Sequence, residues 1–185
     1  MEESAPHNMY FVAILCPQAV NEKVLLFKNW MKEQFGCVVA LKSPAHITLV
    51  PPFWLGEAKE LLLLQAVQSF ESTMDGLEIE VEGFSHFGRR VLFVSVKENL
   101  ALKELKSQVE EHFIKSFSAS IQKDDRPFHP HITIANRDLK PSDFEKAWQN
   151  FNNKEFHEIF LTKRISLLKL RSGKWNVIGE KQWQW

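Results

Sequence analysis

Two tetrapeptides carry side chains suited to moving protons: His46-Ile47-Thr48-Leu49 and His131-Ile132-Thr133-Ile134. Residues two apart on a strand share a face, so each segment would set a histidine beside a threonine and turn its two aliphatic residues the other way. An imidazole, with an ordinary pKa of about 6.5, gives or takes a proton near neutrality, and a neighbouring hydroxyl donates to an anionic oxygen. Two such pairs facing each other would suit a phosphodiester. One neutral imidazole takes a proton from an attacking water while an imidazolium opposite protonates the departing ribose oxygen. Threonine hydroxyls and backbone donors can stabilise the phosphoryl oxygens, so this chemistry needs neither metal nor cofactor.

One His-x-Thr means little, because threonine and aliphatics are common in strands and a lone histidine is usually a hydrogen-bonded, partly buried one. The repetition carries the argument. The motifs lie 85 residues apart, and that offset takes Met9 to Val94 in an apolar stretch, Asn21 to Lys106 in a helical pattern, and Glu57 to Ser142 at a helix start. Both halves follow a strand-helix-strand-helix-strand plan, and two such lobes about a pseudo-twofold would bring both motif strands to one cleft.

The elements that must hold the motifs can be read in order. Met9 to Leu15 is a continuous apolar run closed by Pro17, as for a strand buried on both faces. Asn21 to Phe35 has helical periodicity and stops at Gly36. Val38 to Leu41 and Ile47 to Val50 read as short strands, after which Pro51-Pro52 forces an extended exit past Phe53 and Trp54. A helix is expected from Glu57 to about Phe70, then an alternating strand from Leu77 to Glu82. Gly83 to Arg90 should be a hairpin connection into the strand Val91 to Val96. A helix from about Ala101 to Phe117 and a loop from Ser118 to Pro130 lead to the second motif. Beyond it, Pro141 or Ser142 starts a helix to about Phe151. Strands follow at Phe156 to Leu161, Ile165 to Leu170 and Trp175 to Ile178, the last two joined through Ser172-Gly173.

Other residues admit two readings. His129 and His131 form a His-x-His that could hold a metal with His46, but Pro130 and the lack of a nearby carboxylate pair fit poorly. Arg126 is either a phosphate contact or a solvated charge. Phe53, Trp54 and Phe87 could stack on a base or belong to core and rim. Asp124-Asp125 reads as a turn. His86 and His112 fit a loop surface and a helix side, while His7 and His157 carry no signal.

The 185 residues suit a single domain, and 44% hydrophobic content is enough for a sizeable core. The 23 basic and 23 acidic residues cancel, which leaves no global field for duplex nucleic acid and points to a small or locally held substrate. Cys16 and Cys37 have neither metal spacing nor a framework of pairs, as in a reducing cytoplasm. The start Met1-Glu2-Glu3 is acidic where a signal peptide is basic, and Met9 to Cys16 is too short to span a bilayer. The expectation is a cytoplasmic protein without membrane contact, and a monomer.

From the first strand through Phe128-His129-Pro130-His131-Ile132-Thr133-Ile134, the chain resembles the two-histidine (2H) phosphoesterase superfamily, which includes 2'-5' RNA ligase-like proteins and RNA 2',3'-cyclic phosphodiesterases. The resemblance implies that His46 is the proton donor and His131 the acceptor, with Thr48 and Thr133 holding non-bridging phosphate oxygens. It differs in two places. Asn136 stands where RNA cyclic phosphodiesterases often have arginine, with Arg137 next to it, and Pro51-Pro52 displaces Phe53-Trp54-Leu55-Gly56 by two residues. Repeat and resemblance together imply an α+β fold of two pseudo-symmetric lobes, roughly 9–84 and 91–170, each a small mainly antiparallel sheet with helices outside, around a central groove. The expected activity is metal-independent opening of a 2',3'-cyclic phosphate or related 2'-linked nucleotide, on a small nucleotide or RNA end, with RNA ligation as the reverse. The rival is an RNA- or nucleotide-binding module without turnover.

Overall fold

A computed structural model describes residues 7–183; the acidic stretch Met1-Glu2-Glu3 lies outside them. Strand β1 (His7–Leu15) runs through the interior of the first sheet, with Tyr10, Val12 and Ile14 buried on one face and Phe11 and Ala13 on the other. That double burial is why its sequence is apolar without alternation. Helix α1 (Gln18–Phe35) ends where Gly36 takes φ 71°, its N–H donating to the Lys32 carbonyl.

The expected strand Val38 to Leu41 is instead a 3-10 turn, Val39–Lys42. A carboxylate oxygen of Asp138 accepts the N–H groups of Val38 and Val39 at 2.6 and 2.8 Å. These bonds cap the turn from a distant segment and outweigh the strand preference of two valines. Strand β2 (His46–Gly56) carries the first motif and continues through Pro51-Pro52. It lies at the sheet edge, and a bulge there leaves only Phe11 between the pairs Tyr10–Phe53 and Val12–Val50, so the prolines interrupt little of the ladder.

Helix α2 (Glu60–Gln68) is shorter than expected, because Glu57–Lys59 forms a 3-10 turn. Strand β3 (Leu77–Phe87) runs past Gly83, at φ 64°, and the expected hairpin connection shrinks to the three residues before β4 (Val91–Val96). Helix α3 (Leu100–Phe117) opens on Asn99, whose side chain accepts the Leu102 N–H. The second motif lies on β5 (His131–Ala135). Helix α4 (Phe144–Phe151) starts two residues beyond Ser142, so neither expected cap is used. Strands β6 (His157–Thr162), β7 (Arg164–Arg171) and β8 (Lys174–Gln182) complete the fold. Ser172 and Gly173 take φ 48° and 75°, as a two-residue hairpin turn requires.

The eight strands form two antiparallel four-stranded sheets, ordered β2-β1-β7-β8 and β5-β4-β3-β6. Two lobes are present, but the divisions 9–84 and 91–170 need correction. Strand β3 belongs to the second sheet and β7 to the first. The short β3–β4 turn dictates this, since a tight hairpin must pair the strands it joins. The helices are interleaved too, with α1 packing on β5 and α3 on β2. One hydrophobic core links both sheets, and it holds the motif aliphatics Ile47, Leu49, Ile132 and Ile134, at most 1% exposed. Each such burial is worth about 1.5–3 kcal/mol, which anchors the register that turns the histidines and threonines outward. Among the described residues, no helix is long and apolar enough to cross a membrane.

Candidate active site

With their aliphatic neighbours in the core, His46, Thr48, His131 and Thr133 are half-buried on the opposite faces of β2 and β5. The two strands touch, and His46 and His131 are close enough to act on each other electrostatically. Each imidazole is held in the same way. The Nδ1 of His46 lies 2.7 Å from the Pro44 carbonyl, and that of His131 lies 2.7 Å from the His129 carbonyl. A carbonyl only accepts, so both Nδ1 atoms carry hydrogen and the Nε2 atoms are the unprotonated nitrogens of the neutral rings.

Aromatic rings flank both histidines. Phe11 lies 4.9 Å from His46, and Phe93 and Phe87 each lie 5.0 Å from His131, centroid to centroid. Burial among these groups lowers the basicity of both. The pKa of His46 falls to about 4, through desolvation first and then the positive charges of Lys28 and His131, against an opposing contribution from the Pro44 carbonyl. His131 is also lowered, by burial and then His129, against the His129 carbonyl. Both imidazoles are therefore neutral at pH 7 before substrate arrives.

Beside the motifs lies a cavity of about 530 Å³, whose lining includes Thr48, Phe87, Lys106, Arg126, Phe128 and His131. Phe87 is thus at the site, 40% exposed at the end of β3. Arg126 reaches the cavity but is held by Asp124, with Nε and a terminal nitrogen at 2.8 and 2.7 Å from the two carboxylate oxygens. That bidentate contact draws the Asp124 carboxyl down to about 2. Phe53 is a correction to the expected base-stacking set: it is 5% exposed and stacked on Tyr10 in the core, because the bulge at Pro51-Pro52 turns it inward. Trp54 opposes Met9 and is exposed on the other face.

The remaining histidines have local partners. His129 serves His131 through its backbone carbonyl, and its exposed ring lies at the cavity rim. His86 packs against Phe144 and Trp148, His112 bonds the Ala66 carbonyl, and His157 pairs with Glu80. Among the described residues, no three His, Cys, Asp or Glu side chains converge as a metal site.

The sequence reading missed Lys28 and Lys106. Lys28 is buried on α1, its ammonium donating to the Ser43 carbonyl at 3.0 Å. Lys106 is buried on α3, 2.6 Å from Glu110, at the cavity wall. A signal existed: Lys28 lies four residues after Val24 and three before Met31, on the apolar stripe of its helix.

Two interleaved sheets with a histidine-threonine pair on each, and the two imidazoles held alike, define a two-histidine phosphoesterase. The chain belongs to the 2'-5' RNA ligase superfamily, whose family model matches residues 21–174, and is an enzyme of that phosphodiesterase and ligase class. It is 26% identical to the RNA 2',3'-cyclic phosphodiesterase of Bacillus subtilis (strain 168), with 74% of each chain covered. E. coli LigT complexed with 3'-AMP shares its fold at a TM-score of 0.69 and 17% identity, over 97% of this chain and all of the other. The Thermus thermophilus protein TT0787 does so at 0.64 and 17%, over 93% of this chain and 96% of its own.

Proposed function

We propose that the protein opens a 2',3'-cyclic phosphate, or cleaves a related 2'-linked nucleotide, by acid-base catalysis between His46 and His131. The observation that carries this reading is the matched tethering of the two imidazoles through Nδ1, which leaves the Nε2 of each outside that bond, on a strand that also carries a threonine two residues on. Water attacks phosphorus as His131 takes its proton at Nε2. The bond to one ribose oxygen breaks, and that oxygen receives a proton from Nε2 of His46. Thr48 and Thr133 donate to the non-bridging oxygens.

The acid's part asks for a protonated His46, which burial, Lys28 and His131 all disfavour. An anionic phosphodiester between the motifs opposes those effects, so His46 takes up its proton together with the substrate. The Bacillus relative, an RNA 2',3'-cyclic phosphodiesterase, supports the cyclic-phosphate reading, and the nucleotide bound in the E. coli neighbour supports a nucleotide ligand. Phe87 and Phe128 supply the apolar wall for a base, and Arg126, with two of its five N–H donors on Asp124, has the others to offer a phosphate. Ligation follows the same steps with a ribose 5'-hydroxyl in place of water: His131 takes the hydroxyl proton, its oxygen bonds phosphorus, the bond to one ribose oxygen of the cyclic phosphate breaks, and His46 protonates that oxygen.

The deciding experiment is a panel of 2',3'-cyclic mononucleotides, RNA ends bearing the cyclic phosphate and 2'-5' dinucleotides, assayed with and without chelator. Turnover in both conditions that falls away in His46→Ala and His131→Ala supports the proposal. Binding without turnover makes the protein a nucleotide-binding module, and turnover lost only in chelator restores the metal reading.

A further inference from the structure

The two motifs are nearly identical, yet acid-base catalysis needs them to hold opposite protonation states. A difference must come from outside the tetrapeptides, and the helices behind them supply one: a positive charge that makes His46 the harder imidazole to protonate and, once the substrate's anion has brought it a proton, the stronger acid. Helices α1 and α3 are each eighteen residues long, and Lys28 and Glu110 occupy the same place in them, the eleventh. Both are 3% exposed. Both also hold the backbone leading into a motif: Lys28 donates to the Ser43 carbonyl at 3.0 Å, and Glu110 accepts the Asp124 N–H at 3.1 Å.

Their charges are handled differently. Glu110 is neutralised by Lys106 at 2.6 Å, one helical turn away. Lys28 meets no carboxylate among the described residues; its titratable neighbour is Cys16, a buried thiol pushed up to about 12 and so uncharged. A buried ammonium without an ion pair is costly, and the second half shows that this fold can provide one. Its cost is visible in the Lys28 pKa, brought down to about 8, which still leaves most of the charge in place at neutrality.

The residues between Lys28 and the first histidine are fixed at several points. Asn21 of α1 accepts the Ala45 N–H at 2.6 Å, the Ala45 carbonyl accepts the Cys16 N–H at 3.0 Å, and Pro44 supplies the carbonyl that orients His46. A tether at Ser43 therefore reaches the imidazole through a short, fully held segment. We propose that Lys28 is a positioning residue that makes the two motifs inequivalent, fixing the Ser43-to-Ala45 approach to His46 and placing an unpaired positive charge behind that histidine and not behind His131. The charged or titratable groups acting on His46 are then Lys28 from α1 and His131 from β5. The catalytic use of this asymmetry rests on the two-histidine reading above; the asymmetry itself does not.

The test is an NMR titration of the two imidazoles in the full chain, with ¹⁵N-labelled histidine, for the wild type, Lys28→Gln, Lys28→Met and Lys28→Arg. Removing the charge should move the His46 titration upward and leave that of His131 in place, while Lys28→Arg keeps the wild-type values. Each unit of movement multiplies the small protonated fraction of His46 at neutral pH by about ten. The limb of the kcat/KM profile belonging to His46 should move with it. Lys28→Gln keeps a donor for Ser43 without the charge, so a shift shared by Gln and Met is electrostatic. Equal movement of both histidines, or of neither, overturns the proposal.

Should the uncharged variants fail to fold, the wild type still decides. The His46 ring signal should show a second inflection near pH 8, where Lys28 loses its proton, and a flat trace there overturns the proposal. These readouts need no turnover, so a chain inactive on every substrate of the panel could still show the shift, refuting the functional proposal alone.

Discussion

Acid should destabilise this protein through His46 well before its carboxylates titrate. The imidazole has a pKa of about 4 in the fold, against an ordinary 6.5. A depressed folded value means that the unfolded chain binds the proton more tightly, so stability is full above pH 6.5 and is lost as pH falls toward 4. By pH 5 the linkage relation gives a loss of about 2 kcal/mol, and full protonation would bring it to about 3. Both are upper figures, because the ring is only half-buried and solvent relieves part of the penalty. Against a typical domain stability of about 5–15 kcal/mol the change is easily measured. His131 is lowered as well, and contributes with the same sign as pH falls below the ordinary histidine value.

The assay is urea unfolding at pH 7.5 and pH 5 for the wild type, His46→Asn and His131→Asn. Asparagine keeps an N–H near the position of Nδ1, so the bond to the Pro44 or His129 carbonyl has a replacement donor. His46→Asn should remove about 2 kcal/mol of the pH dependence, and His131→Asn less. The carboxylates held low by partners, Asp124 foremost at about 2, lose their contribution below this window and do not obscure it. If His46→Asn loses as much stability between the two pH values as the wild type does, the imidazole is not desolvated in the fold.

His46→Ala and His131→Ala should each lower kcat/KM on the order of 10²–10⁴-fold, and Thr48→Ala or Thr133→Ala by less. A substrate with an activated leaving group should rescue His46→Ala far more than His131→Ala; the reverse pattern would exchange acid and base. Phe87→Ala should raise KM for base-bearing substrates on the order of tenfold, as loss of one stacking contact does, with little change on an activated phosphodiester lacking a base. Phe53→Ala should instead cost about 3–5 kcal/mol in unfolding experiments and leave KM alone, since the ring is buried against Tyr10. Dialysis against chelator should leave the initial rate unchanged, because neither proposed proton transfer passes through a metal.

What the sequence revealed was local. Two-residue periodicity placed both His/Thr pairs on strand faces, and the unbroken apolar run from Met9 placed β1 in a sheet interior, because side-chain pattern and burial are linked residue by residue. Where distant segments meet, the local signal failed. Nothing in Val38 to Leu41 announces that Asp138 will cap it a hundred residues later. Phe53 and Trp54 are equally plausible stacking residues until the bulge at Pro51-Pro52 decides which turns inward. Arg126 looks like a free cation in sequence, although its anion is two residues upstream. Lys28 was readable in principle as a charge on an apolar stripe, but its effect depends on Ser43, which helix periodicity cannot locate.

The exchange of β3 and β7 between halves bears directly on the proposed catalysis. In two self-contained lobes, the spacing of the histidines would depend on a hinge. Here β3 pairs with β4 and β6 in the second sheet, β7 pairs with β1 in the first, α1 packs on β5 and α3 on β2. Separating His46 from His131 would therefore pull each helix off the other half's motif strand and open the shared core that holds Ile47, Leu49, Ile132 and Ile134. Acid-base catalysis on one small phosphoryl group rewards such a frame, since a misplacement of about 1 Å can cost on the order of 10²-fold in rate. The cavity wall is built otherwise. Residues 118–130 form no strand or helix beyond the last turn of α3, and the Asp124 N–H bond to Glu110 ties their middle to the core. On the proposed function, substitutions at Arg126 or Phe128 should thus alter substrate preference without moving the histidines, whereas substitutions in the motif aliphatics should lower turnover on every substrate alike.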